Sequence, residues 1–154
     1  MVIKLRSKRL AQLFAEVWEH LPEADQALLS KRTRLIVDNP DCLPKGQISV
    51  WGAAFSVQVR KSILIVYLSP RKLPCQSNQF VRYVIAHELA HIFCGHLDQL
   101  FFSPLTDSTL EAYQEKFESE TDEQVRRWGF PIVAPTRLSK RPSLPREGVG
   151  YRKT

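Results

Sequence analysis

The stretch YVIAHELAHIFCGH, residues 83–96, places one glutamate and three histidines inside an apolar run. An α-helix turns that run into two unlike faces. At about 100° per residue, His91 stands about 40° around the helix from His87, and Glu88 about 100°. Val81, Ile85, Leu89, Ile92 and Phe93 fall about 120–240° away, on the opposite side. Such a helix must bury one face in a core and keep the other for polar chemistry. Ser77 or Asn78 is placed to cap it, just after Pro70 and Pro74 end the preceding segment.

His87, Glu88 and His91 form the pattern HExxH. Two imidazoles one turn apart can share a metal ion, and the adjacent carboxylate can take a proton from metal-bound water. The composition of the chain would produce this pattern by chance only about 0.007 times, so an accidental match is a weak rival.

The third histidine is a poor third ligand. On a continuous helix His96 lies about 180° from His87. The longer pattern HExxHxxGxxH needs Gly at 94 and His at 97, where this chain has Cys94 and Leu97, with Gly95 and His96 out of register. His96 therefore reads as a capping or packing residue, able to approach the metal only if Gly95 ends the helix, and Cys94 reads as packing.

A better ligand lies downstream in EKFESETDEQVRRWGF, residues 115–130. Glu118 and Asp122 are four apart and share a helical face. Glu118 can ligate the metal while Asp122 holds the far nitrogen of a ligand histidine. Three protein ligands with one open position is the pattern of catalytic zinc. Glu111 and Glu115 lie on the same stripe and read as solvated acids. The group that stabilises an oxyanion stays open among Tyr83, Tyr113 and His96.

The rest of the chain supplies an α+β frame. Leu10, Leu13, Phe14, Val17, Trp18 and Leu21 form one helical stripe, and a second helical segment runs from Pro22 to about Asp38. Residues 38–46 read as a loop. Residues 48–68 alternate and are rich in β-branched types, which predicts a small antiparallel sheet or hairpin turning at Arg60, Lys61 and Ser62. A loop around Ser103 and Pro104 leads to a helix that begins at Asp107 or Ser108, runs to about Trp128, and is stopped by Gly129 and Pro131. The expected organisation is one domain over 1–132, made of N-terminal helices (1–40), the sheet (48–68) and the metal-site helices (77–129), followed by a basic, flexible tail over 133–154.

The tail carries Arg137, Lys140, Arg141, Arg146, Arg152 and Lys153 against Glu147, which accounts for most of the chain's net charge of +6. Contact with nucleic acid or an acidic partner is open to it, and so is a purely solubilising role. Cys42, Cys75 and Cys94 are odd in number and form no CxxC pair, which speaks for a reducing compartment. The basic start MVIKLRSKRL lacks the apolar block of a secretory signal, and ILIVYL at 63–68 is too short to span a bilayer. A cytoplasmic protein with no membrane contact is the expectation.

The sequence HELAHIFCGH, followed by a helix containing ESETDEQVRRWGF, resembles the gluzincin metallopeptidases, in which a later glutamate completes HExxH. Their ExxxD form, familiar from thermolysin-like enzymes, matches Glu118 and Asp122. The chain is more closely similar to the small intracellular ImmA/IrrE-type peptidases, whose pattern is HELxHxxxGH followed by Glu-x-x-Ala-Asp/Asn. Thr121 stands here where alanine is usual. The resemblance covers residues 48–131. It implies a minimal zincin-like fold and Zn²⁺ held by His87, His91 and Glu118, with Asp122 behind a ligand. It further implies Glu88 as general base and a protein or peptide substrate such as a regulatory protein. Two other readings compete. A DNA-associated SprT-like peptidase would use the basic tail, although no zinc-ribbon cysteines are present. A non-catalytic metal-binding regulatory or toxin–antitoxin-type module would have no need of Glu88.

Overall fold

The computed structural model describes residues 1–42, 50–58, 62–99 and 107–136. Its order is β1 (Val2–Lys4), α1 (Lys8–His20), α2 (Glu23–Arg32), β2 (Thr33–Val37), β3 (Gly52–Gln58), β4 (Ser62–Leu68), α3 (Asn78–Phe93), α4 (His96–Gln99) and α5 (Asp107–Arg127). The four strands form one mixed sheet in the order β1-β2-β4-β3. The chain is α+β, as expected, but its sheet is larger and differently connected than a hairpin.

Only the β3–β4 pair is antiparallel, with Phe55 opposite Ile65. β1 and β2 pair in parallel, Ile3 beside Ile36, and β2 continues in parallel onto β4, Ile36 beside Val66. The second helical segment therefore ends at Arg32 rather than near Asp38. Thr33, Ile36 and Val37 are β-branched and stiff at χ1; here Ile36 and Val37 find a strand partner on each side and Thr33 one on β4, which outweighs helix continuation. β1 left no trace in the sequence pattern because three residues are too few to show a period of two. The helical pair α1–α2 serves as the crossover that a parallel β1–β2 pairing requires.

α3 is the spine of the molecule. Val81, Ile85, Ala86, Leu89, Ala90 and Ile92 are fully buried, and α3 packs against α1, α2, α5, β3 and β4. Ser77 starts it by accepting a hydrogen bond from the Phe80 N–H. α1 brings Leu10, Leu13, Phe14 and Val17 onto it from the apolar stripe, and Asp38 ties the end of β2 to the start of α1 by accepting from the N–H groups of Arg6 and Ser7, both at 2.9 Å. Each fully buried aliphatic side chain of this set contributes about 1.5–3 kcal/mol of transfer free energy.

α3 stops at Phe93, and Gly95 takes φ +75°, a left-handed conformation suited to glycine. Arg32 braces this turn: its guanidinium donates to the Phe93 carbonyl and pairs with Asp98 on α4. At the other end of the metal-site helices Gly129, at φ +83°, ends α5, and the Trp128 indole donates to Asp25 at 2.8 Å.

The chain beyond α5 stays on the fold. Thr136 and the Gln76 side chain make two reciprocal hydrogen bonds, Thr136 N–H to Oε1 at 2.7 Å and Nε2 to the Thr136 carbonyl at 3.3 Å. Within the expected tail, Val133 packs partly buried against the core and Thr136 is tied to Gln76, while Ala134, Pro135 and Thr136 are exposed. The basic residues from Arg137 onward, the Arg60–Lys61 turn, residues 43–49 and the Ser103–Pro104 loop lie outside the described residues. Among the described residues no helix is long and apolar enough to cross a membrane.

Candidate metal centre

Helical spacing alone brings His87 and His91 together, with their Nε2 atoms 3.2 Å apart and their rings nearly perpendicular. α5 crosses α3 and lays the Glu118 carboxylate over the pair. One Glu118 oxygen is 3.1 Å from His87 Nε2 and the other 3.5 Å from His91 Nε2. A tetrahedral zinc with bonds near 2.05 Å requires ligand atoms about 3.3 Å apart. The His87–His91 separation is close to that edge, one ligand atom from each of the three side chains lies within 4.8 Å of the others, and the donor set of two imidazoles and a carboxylate is one that zinc accepts. Among the described residues this is the group of ligating side chains able to share an ion; Cys94 and His96 are not part of it.

The carboxylate and imidazoles polarise one another. Hydrogen bonds from His87 and His91 hold Glu118 well below the usual carboxylate range. Burial opposes protonation of His87, but the Glu118 hydrogen bond and the charges of Glu88, Glu118 and Asp122 outweigh it and raise its pKa.

Glu88 is set by the sheet. It is 8% exposed, and burial pushes its pKa up against the opposing pull of His91, His87 and the Ala54 N–H that hydrogen-bonds to it. Gly52 makes room for it. A Cβ added at Gly52 would stand 2.8 Å from Glu88 Cγ, 2.9 Å from Oε1 and 3.0 Å from a Val84 methyl. Gly52 was not among the residues singled out from sequence. The signal was present in the Gly52-Ala53-Ala54 run opening an otherwise bulky strand, since small residues in a strand mark a close approach.

The two histidines have different surroundings at Nδ1. His87 Nδ1 faces Asp122 at 3.3 Å. The Tyr83 hydroxyl donates to that carboxylate at 3.0 Å, and burial together with Asp122 raises the Tyr83 pKa. Asp122 thus lies one turn from Glu118 on α5, against the Nδ1 side of His87.

His91 Nδ1 instead faces His96 Nδ1 at 3.1 Å and the Thr121 hydroxyl at 3.2 Å. His96 packs just beyond the end of α3, as the sequence suggests, and it packs against His91. Because α3 stops before it, the angular offset of a continuous helix does not apply, and the Gly95 turn swings its ring behind His91. It is 1% exposed, stacks on Phe117 with centroids 4.4 Å apart, and its Nε2 meets Glu120 at 3.0 Å. Burial lowers the pKa of His96, with Glu120 opposing.

These positions also thin the field of oxyanion candidates. His96 is buried behind His91, and the Tyr83 hydroxyl is engaged by Asp122. Tyr113 packs near Phe117, with ring centroids 5.6 Å apart. Cys94 is half-buried, and burial followed by the charge of Glu120 pushes its thiol up, which fits packing better than reactivity.

Two clefts adjoin the site. The larger, of about 620 Å³, runs toward the N-terminal half of α3 between Trp51, Phe80, Tyr83 and the segment Ile132–Pro135. The smaller, of about 280 Å³, runs toward its C-terminal end past His91 and Leu97. Gly52, His87, Glu88 and Glu118 line both. No protein-family model, curated protein or solved structure matches the chain. The reading of the site rests on its geometry.

Proposed function

We propose that the protein is a zinc-dependent metallopeptidase of the gluzincin kind on a minimal zincin-like fold, acting on a protein or peptide, a regulatory protein being the class that the family resemblance suggests. The observation that carries this reading is the Glu118 carboxylate lying across the His87–His91 pair, with Glu88 buried alongside. Zinc held by these three side chains supplies a Lewis acid that polarises a carbonyl and acidifies water toward neutrality.

The remaining work falls to the chain. Burial gives Glu88 a raised affinity for a proton, which suits it to take the proton of an attacking water and pass it to the leaving amine. Asp122 and Tyr83 hold the His87 ring in place. β3 is the edge of the sheet, and among the described residues its one strand partner is β4. Its open side can take an extended peptide as an added strand, and the two clefts leave room for side chains on either side of the bond to be cut. A purely structural metal site has no use for a buried carboxylate beside an open approach, which disfavours the non-catalytic module. The cytoplasmic setting inferred from cysteine usage belongs to the same reading.

The test is zinc content and peptide cleavage by the purified protein beside Glu88→Gln and Glu118→Ala. Glu88→Gln is expected to keep zinc and lose activity by about 10²–10⁴-fold, and Glu118→Ala to lose the metal. Full activity in Glu88→Gln overturns the proposal.

A further inference from the structure

We propose that His96 and Glu120 are positioning residues, forming a hydrogen-bonded relay that fixes the proton of His91 on Nδ1 and so leaves Nε2 free for the metal. The proposal rests on the zinc reading and extends it to two residues that hold no metal themselves.

With a metal in place of the hydrogen bond from His91 Nε2 to Glu118, the distances fix the proton count. A neutral imidazole that ligates through Nε2 carries its single proton on Nδ1. The Nδ1 atoms of His91 and His96 are 3.1 Å apart, so both cannot carry hydrogen, because two N–H groups would then point at each other. At the far side of His96, Nε2 lies 3.0 Å from a Glu120 oxygen. An ionised carboxylate accepts only, so His96 Nε2 carries the proton and His96 Nδ1 is bare. The donors then run in one direction, His91 Nδ1–H to His96 Nδ1 and His96 Nε2–H to Glu120. Thr121 Oγ1, 3.2 Å from His91 Nδ1 and 3.4 Å from His96 Nδ1, closes the triangle.

The relay is built into the fold. The left-handed turn at Gly95, braced by Arg32, delivers the His96 ring, and stacking on Phe117 fixes its plane. On α5, Thr121 lies about 60° to one side of Glu118 and Glu120 about 160°. The helix that supplies the ligand thus also supplies the hydroxyl and the terminal carboxylate.

Metal-free wild type, Glu120→Ala, Glu120→Gln and His96→Ala are titrated with zinc against a chelator of known affinity, and the imidazole nitrogens of the zinc-loaded wild type are followed by ¹⁵N NMR. The expected spectrum has His91 protonated on Nδ1 and His96 on Nε2. Glu120→Ala is expected to weaken zinc binding about tenfold, while Glu120→Gln, whose amide oxygen still accepts, retains most of it. His96→Ala empties a buried site and risks misfolding, so Glu120→Ala, on a partly exposed residue, carries the test. A proton on His96 Nδ1, or zinc binding by Glu120→Ala within about twofold of wild type, overturns the relay. Wild type that binds no zinc overturns the zinc reading and the relay together, whereas tight wild-type binding indifferent to Glu120 overturns the relay alone.

Discussion

His87 and His91 stand one turn apart on the same helix and face the same carboxylate, yet their Nδ1 atoms meet opposite kinds of partner. His87 meets a carboxylate directly, with Tyr83 donating to it from the side. His91 meets a second imidazole and a hydroxyl, and the nearest charge on that side, on Glu120, is one ring further out. A direct carboxylate both orients an imidazole and makes it a stronger electron donor, whereas a neutral partner mainly orients it. The difference follows which elements reach each ring. Asp122 of α5 and Tyr83 of α3 meet on the His87 side, whereas on the His91 side the turn at Gly95 puts the buried His96 ring between His91 and the partly exposed Glu120.

Four substitutions sharpen or break this contrast. The largest effect is expected from Gly52→Ala, which touches neither histidine. The new methyl group would displace Glu88, and a misplacement of that order costs roughly 10²-fold in turnover while zinc content is unchanged; loss of zinc instead would mean that β3 supports the ligands and not only the base. Next comes Asp122→Ala, expected to weaken zinc binding by about 10–100-fold in a chelator competition. Thr121→Val keeps the shape and leaves His91 with His96 alone, so about two- to tenfold is expected, the worth of one hydrogen bond. If Thr121→Val proves the more damaging of the two, the ranking of the two sides is reversed. The smallest effect is expected from Trp128→Phe, which removes the bond to Asp25 at the end of α5 and lowers unfolding stability by about 1 kcal/mol in denaturant titration. It bears on both histidines alike and leaves the contrast intact.

Much of the site was legible in the sequence because helical spacing is a local rule. His87, Glu88 and His91 needed only the helix period, and Glu118 with Asp122 needed that period plus the ligand count of a catalytic zinc. The packing of His96 was legible, but its contact with His91 was not, because that depends on one backbone torsion at Gly95, which breaks the period on which the angular argument stood. Gly52 and Ala54 were missed because their part is to be small and to offer backbone, and neither property shows as a motif. The parallel strands were missed for a related reason. Thr33–Val37 becomes a strand through partners about thirty residues away on either side, and no window along the chain contains both.

The missing side chain at Gly52 has a mechanical consequence. Glu88 rests against the first residue of β3, the strand whose open edge would take a peptide in the proposed reaction. Under that proposal base and template share one reference surface, and a rigid displacement of β3 would carry both along, so that its error in placing the scissile bond would largely cancel. Among the described residues α5, which brings Glu118, packs on α3, so under the proposal the alignment of the site would depend on how firmly those two helices are seated together.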